Sequence, residues 1–269
     1  MKKKILIITA VALVAVMAEF LIFGNHDPHK KDLILYLPFN EGKGSTVTDK
    51  SGNLPEAEIN YGLKPAVYQS ENQEPQWRKN GIDGGCLLFD GTTYITYNKN
   101  HIKVSGSALT VSAWIAPRTF EWDDPNAADN GNDKLTAIIG QSSKDENRGF
   151  ILGYQRHGRL SFQVGIGDEW LAVWTNGDNL KKYEWNHVAA TFDAEGGDMK
   201  LYLNGELVAS RSVPAGAEIV HAKNRTLIVG RNGEGERLTA GFLNAVSGYL
   251  DDVKLYSCAL TGEEIVKPY

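Results

Sequence analysis

Residues 183–210, YEWNHVAATFDAEGGDMKLYLNGELVAS, limit the fold more than any other stretch, because apolar and polar side chains alternate through them with a period of two. Val188, Ala190 and Phe192 fall on one face of a first strand, and Leu201 and Leu203 on the same face of a second. Between them residues 193–198 are polar and glycine-bearing, which is turn chemistry. Asn204-Gly205 comes next, and Asn-Gly is the dipeptide best suited to the positive φ angles of a two-residue hairpin loop. The segment is an antiparallel meander, which only a strand-rich fold can use.

Strand patterns recur at 33–39, 86–89, 94–97, 109–116, 137–141, 149–154, 159–165, 168–174, 225–230 and 248–256, with Gly, Asn and Asp turns between them. Helical periodicity is almost absent. Only residues 261–265 read as a capped helical turn, with Thr261 as the cap and Glu264 three residues on. Many short strands without intervening helices predict an all-β, two-sheet antiparallel sandwich. Residues 54–84 and 118–134 are longer than sandwich connections need, and long loops of that kind are commonly functional or disordered.

The N-terminus, Met1-Lys2-Lys3-Lys4 followed by an apolar run to Ala18, has the charged and apolar regions of an export signal, with small residues at 16–18 for cleavage. The alternative is an uncleaved anchor, because residues 5–23 are nearly long enough to span a bilayer, interrupted only by Glu19. The expected division is a signal peptide or membrane anchor at 1–24, a polar linker at 25–31 and one domain at 32–269, in a secreted or cell-surface protein. About 240 residues suit a single all-β domain with a sizeable core. A formal charge of -5 and a pI near 5.7 leave no broad basic surface, so nucleic acid is not an expected partner.

W-N-H-V-A and L-Y-L-N-G in the meander, with the closing G-Y-L-D-D-V-K-L-Y-S-C-A-L-T-G-E-E-I, are joined by L-Y-L-P-F-N-E-G-K-G (35–44), D-K-S-G-N (49–53), C-L-L-F-D-G (86–91), L-T-V-S-A-W-I (109–115) and L-I-V-G (227–230). In this order, over about 230 residues, they resemble the laminin-G-like, concanavalin A-type jelly-roll domains of secreted proteins. The resemblance implies a jelly-roll sandwich in which Trp114 and Trp185 are core residues and His187 is structural. It also implies a structural calcium between the D-x-S-G-N turn and the acidic residue of the last strand. The matching positions are Asp49, Gly52 (through its backbone), Asn53 and Asp251, residue types that supply the hard oxygens calcium takes. Asp90 is either a further ligand or a turn former; the D-K-S-G-N segment, equally, is either a ligand turn or a plain one. Two cysteines in an exported chain predict one disulfide, Cys86 to Cys258, since the resemblance puts their strands in one neighbourhood; two buried thiols are the alternative.

Similar sandwiches include retaining glucanases with an E-x-D-x-x-E strand. Here Glu121-Trp122-Asp123 begins that pattern, but Asn126 stands where the second glutamate belongs, so the close carboxylate pair that retention needs is missing. No catalytic residue is predicted. Sugar rings pack on aromatic planes beside hydrogen-bonding side chains, which makes Trp122, Trp170 and Trp174 candidate platforms, with Arg148, Arg156 and Asp168 as polar neighbours. The expected function is an exported, non-catalytic carbohydrate-binding module, either a stand-alone lectin or the accessory module of a glycoside hydrolase. A cell-surface domain binding a protein partner is the second reading, and a hydrolase with unrecognised carboxylates the third.

Overall fold

A computed structural model describes residues 28–62, 74–120, 135–177, 180–233 and 245–266, with backbone alone at Arg156 and Val266. Among them the strands are β1 (Leu33–Leu37), β2 (Thr46–Val47), β3 (Ala57–Tyr61), β4 (Gln76–Arg78), β5 (Cys86–Asp90), β6 (Thr93–Tyr97), β7 (Ala108–Pro117) and β8 (Thr136–Ser143). There follow β9 (Arg148–Tyr154), β10 (Leu160–Ile166), β11 (Trp170–Trp174), β12 (Asn186–Asp193), β13 (Asp198–Leu203), β14 (Glu206–Ser212), β15 (Leu227–Val229) and β16 (Ser247–Tyr256), then one helical turn, α1 (Gly262–Val266).

All pairings between strands are antiparallel and make two sheets. The first runs β14-β13-β12-β7-β16-β5-β4 with β1 also on β16, and the second runs β11-β10-β9-β8-β15-β6-β3-β2. This is the two-sheet sandwich that the alternation predicts. In the meander, Val188 sits opposite Leu203, Ala190 opposite Leu201 and Phe192 opposite Met199. Those side chains enter the core between the sheets, where they meet Leu152, Phe162 and Val164 of the second sheet among others. The Asn204-Gly205 turn has φ 51° and 84°, the left-handed pair that Asn-Gly favours. Asn204 also ties the meander together, since its Oδ1 accepts the His187 N–H at 2.9 Å.

Several expectations are corrected. The long connection at 54–84 contains two strands, β3 and β4. Residues 28–31 of the expected linker pack on the domain: Lys30 and Lys31 belong to a 3-10 turn (Lys30–Asp32), and His29 contacts Glu264 at 2.9 Å. Cys86 and Cys258 are not bridged to each other. The register explains why: Leu87 pairs with Leu250, which puts Cys86 beside Asp251. Cys258 lies seven residues farther along, roughly 20 Å at about 3.3 Å per residue, whereas a disulfide needs Cα atoms within about 7 Å. Residues 1–24 and the acidic loop at 121–134 lie outside the described residues. Among the described residues no helix is long and apolar enough to cross a membrane.

Candidate functional site

The sandwich leaves two outer sheet faces, and the first sheet's carries a groove. On β7, Leu109, Val111, Ala113 and Ile115 enter the core, so Thr110, Ser112 and Trp114 take the opposite face. Trp114 is therefore a half-buried outer residue, contrary to the expectation that it belongs to the core. It pairs with His187 of β12, and the two rings sit 4.9 Å apart at 47°. Trp185 is likewise half-buried outside the core, with its ring 6.4 Å from that of Tyr249. The parity signal for Trp114 is present in L-T-V-S-A-W-I, because the tryptophan is in phase with Thr110 and Ser112.

Next to β7, β16 is interrupted by a bulge between Asp251 and Lys254, with Asp252 at φ 53°. Val253 and Leu255 remain in the core, while Lys254 turns outward. The Lys254 ammonium lies 3.3 Å from Asp252 Oδ2 and 4.7 Å over the Tyr36 ring. The Tyr36 hydroxyl donates to Asp252, and burial together with that carboxylate keeps the phenol protonated. The resulting groove is about 570 Å³. Its floor is Ser112, Trp114, His187 and Tyr256; Tyr36, Asp252 and Lys254 lie along it, as do the Asn204-Gly205 turn, Ile82 and Asp83. Leu260, Glu264 and Ile265 complete it. Burial, helped by nearby Lys254 and opposed by Asp252, pushes the His187 pKa down to about 4, so the imidazole is neutral at pH 7. A neutral imidazole, a lysine donor, carboxylate acceptors and an indole plane suit a ligand with many hydroxyls and flat C–H faces.

Of the sugar-binding residues predicted from sequence, those that are described do not line this groove. Trp170 and Trp174 share one face of β11, the edge strand of the second sheet, while Leu171 and Val173 enter the core. Both tryptophans are half-buried outer residues. Trp170 donates its indole N–H to Gln163 Oε1 at 2.8 Å and has the Lys144 ammonium 5.6 Å from its ring. Trp174 carries the Arg159 guanidinium 5.5 Å from its ring, a neighbour the sequence reading did not choose. Asp168 is exposed in the β10–β11 turn. Arg148 opens β9 one residue out of phase with Gly149, and it is Gly149 that aligns with Gly165 and Trp170. Arg156 is in a 3-10 turn (Arg156–Gly158), and Trp122 lies outside the described residues. Among the described residues one cavity on this face, lined by Ala137, Ser142, Arg225 and Asn232 among others, is about 120 Å³. Ligand clefts are commonly about 300–1,000 Å³, a range that includes the groove over Trp114 and not this cavity.

The expected calcium ligands Asp49 and Asp251 take part in separate hydrogen-bond networks. Asp49 Oδ1 accepts the N–H groups of Tyr36 and Ser51, both at 2.9 Å. Its Oδ2 accepts the Ser51 hydroxyl at 2.6 Å and the N–H groups of Asn53 and Leu54 at 3.0 and 2.9 Å. Five donors meet the roughly four lone-pair positions of this carboxylate, so Asp49 organises the turn. Gly52 supplies the turn's left-handed residue at φ 81°, and Asn53 gives its amide N–H to the Leu33 carbonyl at 2.7 Å. Asp90 is a turn former too, its Oδ1 accepting from Thr92 and Thr93.

Asp251 is buried on a different segment. Its Oδ2 accepts the Ile82 N–H at 2.6 Å, and burial pushes its pKa up to about 7. A Cβ at Gly81 would stand 2.0 Å from the Gly85 carbonyl oxygen and 2.5 Å from Asp251 Oδ2, and one at Gly85 would stand 2.8 Å from the Phe39 carbonyl oxygen. Asn40 Oδ1 accepts the Gly85 N–H, and Asn40 Nδ2 donates to the Asp83 carbonyl at 2.9 Å. Oxygens of Asp251, Asn40, Phe39 and Gly85 thus lie close around Gly81, Gly84 and Gly85, three positions that a Cβ would crowd.

Two antiparallel sheets closed over one core, with a polar and aromatic groove on an outer face, define a lectin-like jelly roll. The chain belongs to the concanavalin A-like lectin/glucanases superfamily, whose sequence profile matches residues 89–266. Among solved structures it is similar to domain 4 of an extracellular GH43 arabinanase from Geobacillus stearothermophilus in complex with arabinotriose. That likeness has 20% identity and a TM-score of 0.58 over 87% of this chain and 97% of that one. It is also similar to the botulinum neurotoxin serotype G binding domain, at 15% identity and a TM-score of 0.57 over 87% of this chain and 50% of that one. The serotype D ligand-binding domain in complex with N-acetylneuraminic acid matches at 20% identity and a TM-score of 0.55, over 88% of this chain and 50% of that one. No functionally curated protein matches the chain.

Proposed function

We propose that this chain is an extracytoplasmic, non-catalytic glycan-binding module that takes its glycan in the groove over Trp114. The observation that carries the reading is the groove itself: about 570 Å³ with an indole floor beside a neutral imidazole and an Asp252–Lys254 pair. The arabinotriose and N-acetylneuraminic acid in the similar structures, and the extracellular place of the arabinanase, support it by analogy. Affinity electrophoresis through gels containing neutral polysaccharides tests it. Wild type should be retarded on at least one glycan, and Trp114→Ala should lose at least tenfold in affinity with an unchanged circular dichroism spectrum. Retardation that depends on Trp170 instead would move the site to β11. No retardation on any glycan, with capture of a cell-envelope protein, would replace this reading by the protein-interaction one.

A structural calcium belongs to the same reading, held by Asp251 with Asn40 and the carbonyls of Phe39 and Gly85. What supports it is the chemistry of that oxygen set and the close approach of the Gly81, Gly84 and Gly85 backbone around it. Chelation should lower the melting temperature by several degrees, calcium should restore it, and Asp251→Asn should remove the calcium-dependent shift. A melting temperature indifferent to chelator and calcium would eliminate the ion.

A further inference from the structure

His29, Asp32 and Cys258 form a cluster unrelated to the groove floor or to the oxygens around Asp251. One potential ligand atom from each lies within 4.8 Å of the others, and all three residues are half-buried. His29 Nδ1 is 3.6 Å from Cys258 Sγ and 3.8 Å from Asp32 Oδ2. In a tetrahedral zinc site, with bonds of about 2.0–2.3 Å, the nitrogen–sulfur edge is about 3.6 Å and the nitrogen–oxygen edge about 3.4 Å. The first edge is already met and the second needs a movement of a few tenths of an ångström.

The other imidazole nitrogen sets the tautomer. His29 Nε2 is 2.9 Å from Glu264 Oε1. A carboxylate at that position accepts, so Nε2 is the donating nitrogen and Nδ1 is the nitrogen that faces Cys258 and Asp32. A carboxylate behind a histidine in this way is the usual outer support of a metal-bound imidazole.

Each member is also on fixed backbone. Ser257, next to Cys258, donates its N–H and hydroxyl to the Asp32 carbonyl at 2.8 and 3.2 Å. The Cys258 carbonyl accepts the Thr110 hydroxyl at 2.7 Å. Glu264 is held in a capping box, its Oε2 accepting the N–H and the hydroxyl of Thr261, both at 2.9 Å.

We propose that His29 Nδ1, Cys258 Sγ and Asp32 Oδ2 bind a zinc-class divalent cation, with Glu264 orienting the histidine, and that the ion clasps the start of the domain to its end. Thiolate and carboxylate together neutralise the two charges of the ion, and binding releases the thiol proton with no change in oxidation state. Three protein ligands leave a fourth position for water. Calcium is not a candidate here, since it takes oxygen ligands and the cluster offers sulfur and nitrogen.

The test uses the full chain, reduced and stripped with chelator, and then titrated with Zn²⁺ or Co²⁺ alone. Wild type should bind one equivalent of Zn²⁺, and Co²⁺ should give a thiolate-to-metal charge-transfer band together with intense tetrahedral d–d bands. Cys258→Ser should abolish the charge-transfer band, and His29→Ala should weaken Zn²⁺ at least tenfold. Glu264→Gln should weaken it about tenfold while keeping the band, the size usual for losing an outer support. Cys86→Ser should bind as wild type does, because Cys86 is buried on β5 at the other end of β16. Absence of the charge-transfer band in wild type overturns the proposal without any variant having to fold. So does a band that survives Cys258→Ser, or Zn²⁺ affinity indifferent to His29→Ala.

Discussion

At the scale of single residues, Trp114 and His187 show how position along a strand decides chemistry. In the folded chain His187 has a pKa of about 4, because burial and the Lys254 charge disfavour the imidazolium more than Asp252 favours it. In the unfolded chain its pKa is about 6.5. The unfolded state therefore takes up a proton as pH falls through 6.5 while the folded state does not until about 4, and stability drops across that window. Between pH 7 and pH 5 the loss from this one group is on the order of 2 kcal/mol by linkage. His187→Gln should make the urea midpoint fall less over the same interval; equal slopes for variant and wild type would mean that His187 is not held neutral by burial. The meander's alternation already puts His187 out of phase with Val188 and Ala190, just as that of β7 puts Trp114 in phase with Ser112. Both outer positions were legible by parity. What hid them was the family resemblance, which implies a core place for Trp114 and a structural one for His187, whereas both line the groove.

At the scale of elements, the bulge in β16 is what turns a regular strand into one side of that groove. Leu250 is a core residue and so are Val253 and Leu255, which a strict period of two does not allow. The extra residue is absorbed at Asp252, in the left-handed region at φ 53°. Aspartate tolerates that conformation better than most residues, and a β-branched one does not. Asp252→Val should cost about 1–3 kcal/mol in chemical denaturation. Asp252→Gly should retain wild-type stability to within about 1 kcal/mol, since relief of φ offsets the extra freedom of the unfolded chain, yet it should weaken glycan retention by removing the Lys254 partner. Equal losses of stability in both variants would mean that the side-chain contacts, and not the backbone, hold the bulge. G-Y-L-D-D-V-K-L-Y carries the signal as a slip of parity between Leu250 and Val253. The strands that sequence did not show are β2, β3 and β4, with two, five and three residues. β2 and β4 offer one apolar side chain each, Val47 and Trp77, too few for alternation to stand out from chance.

At the scale of the whole molecule, sandwich and groove differ in how far apart their parts lie along the chain. The sheets follow from local alternation, repeated strand by strand, so the two-sheet architecture was readable before any contact was known. The groove draws on Tyr36, Ile82, Trp114, His187, Asn204, Lys254 and Glu264, which only the strand order β12-β7-β16 and the two chain ends bring together. Composition likewise stated the charge of the molecule but not its placement. Asp83, Asp252 and Glu264 face the groove against Lys254 as the lining cation, with His187 neutral, inside a chain of net charge -5. Such a field repels polyanions and is indifferent to uncharged ligands. A neutral polysaccharide that the module retains should therefore be bound with an affinity that changes less than twofold with salt, whereas polygalacturonate should be excluded at low ionic strength and gain, if anything, as salt screens the repulsion. Isothermal titration at two ionic strengths reads both. Tighter binding of the polyuronate at low salt than at high salt would require a cationic surface, and the groove over Trp114 could not then be the site that holds it.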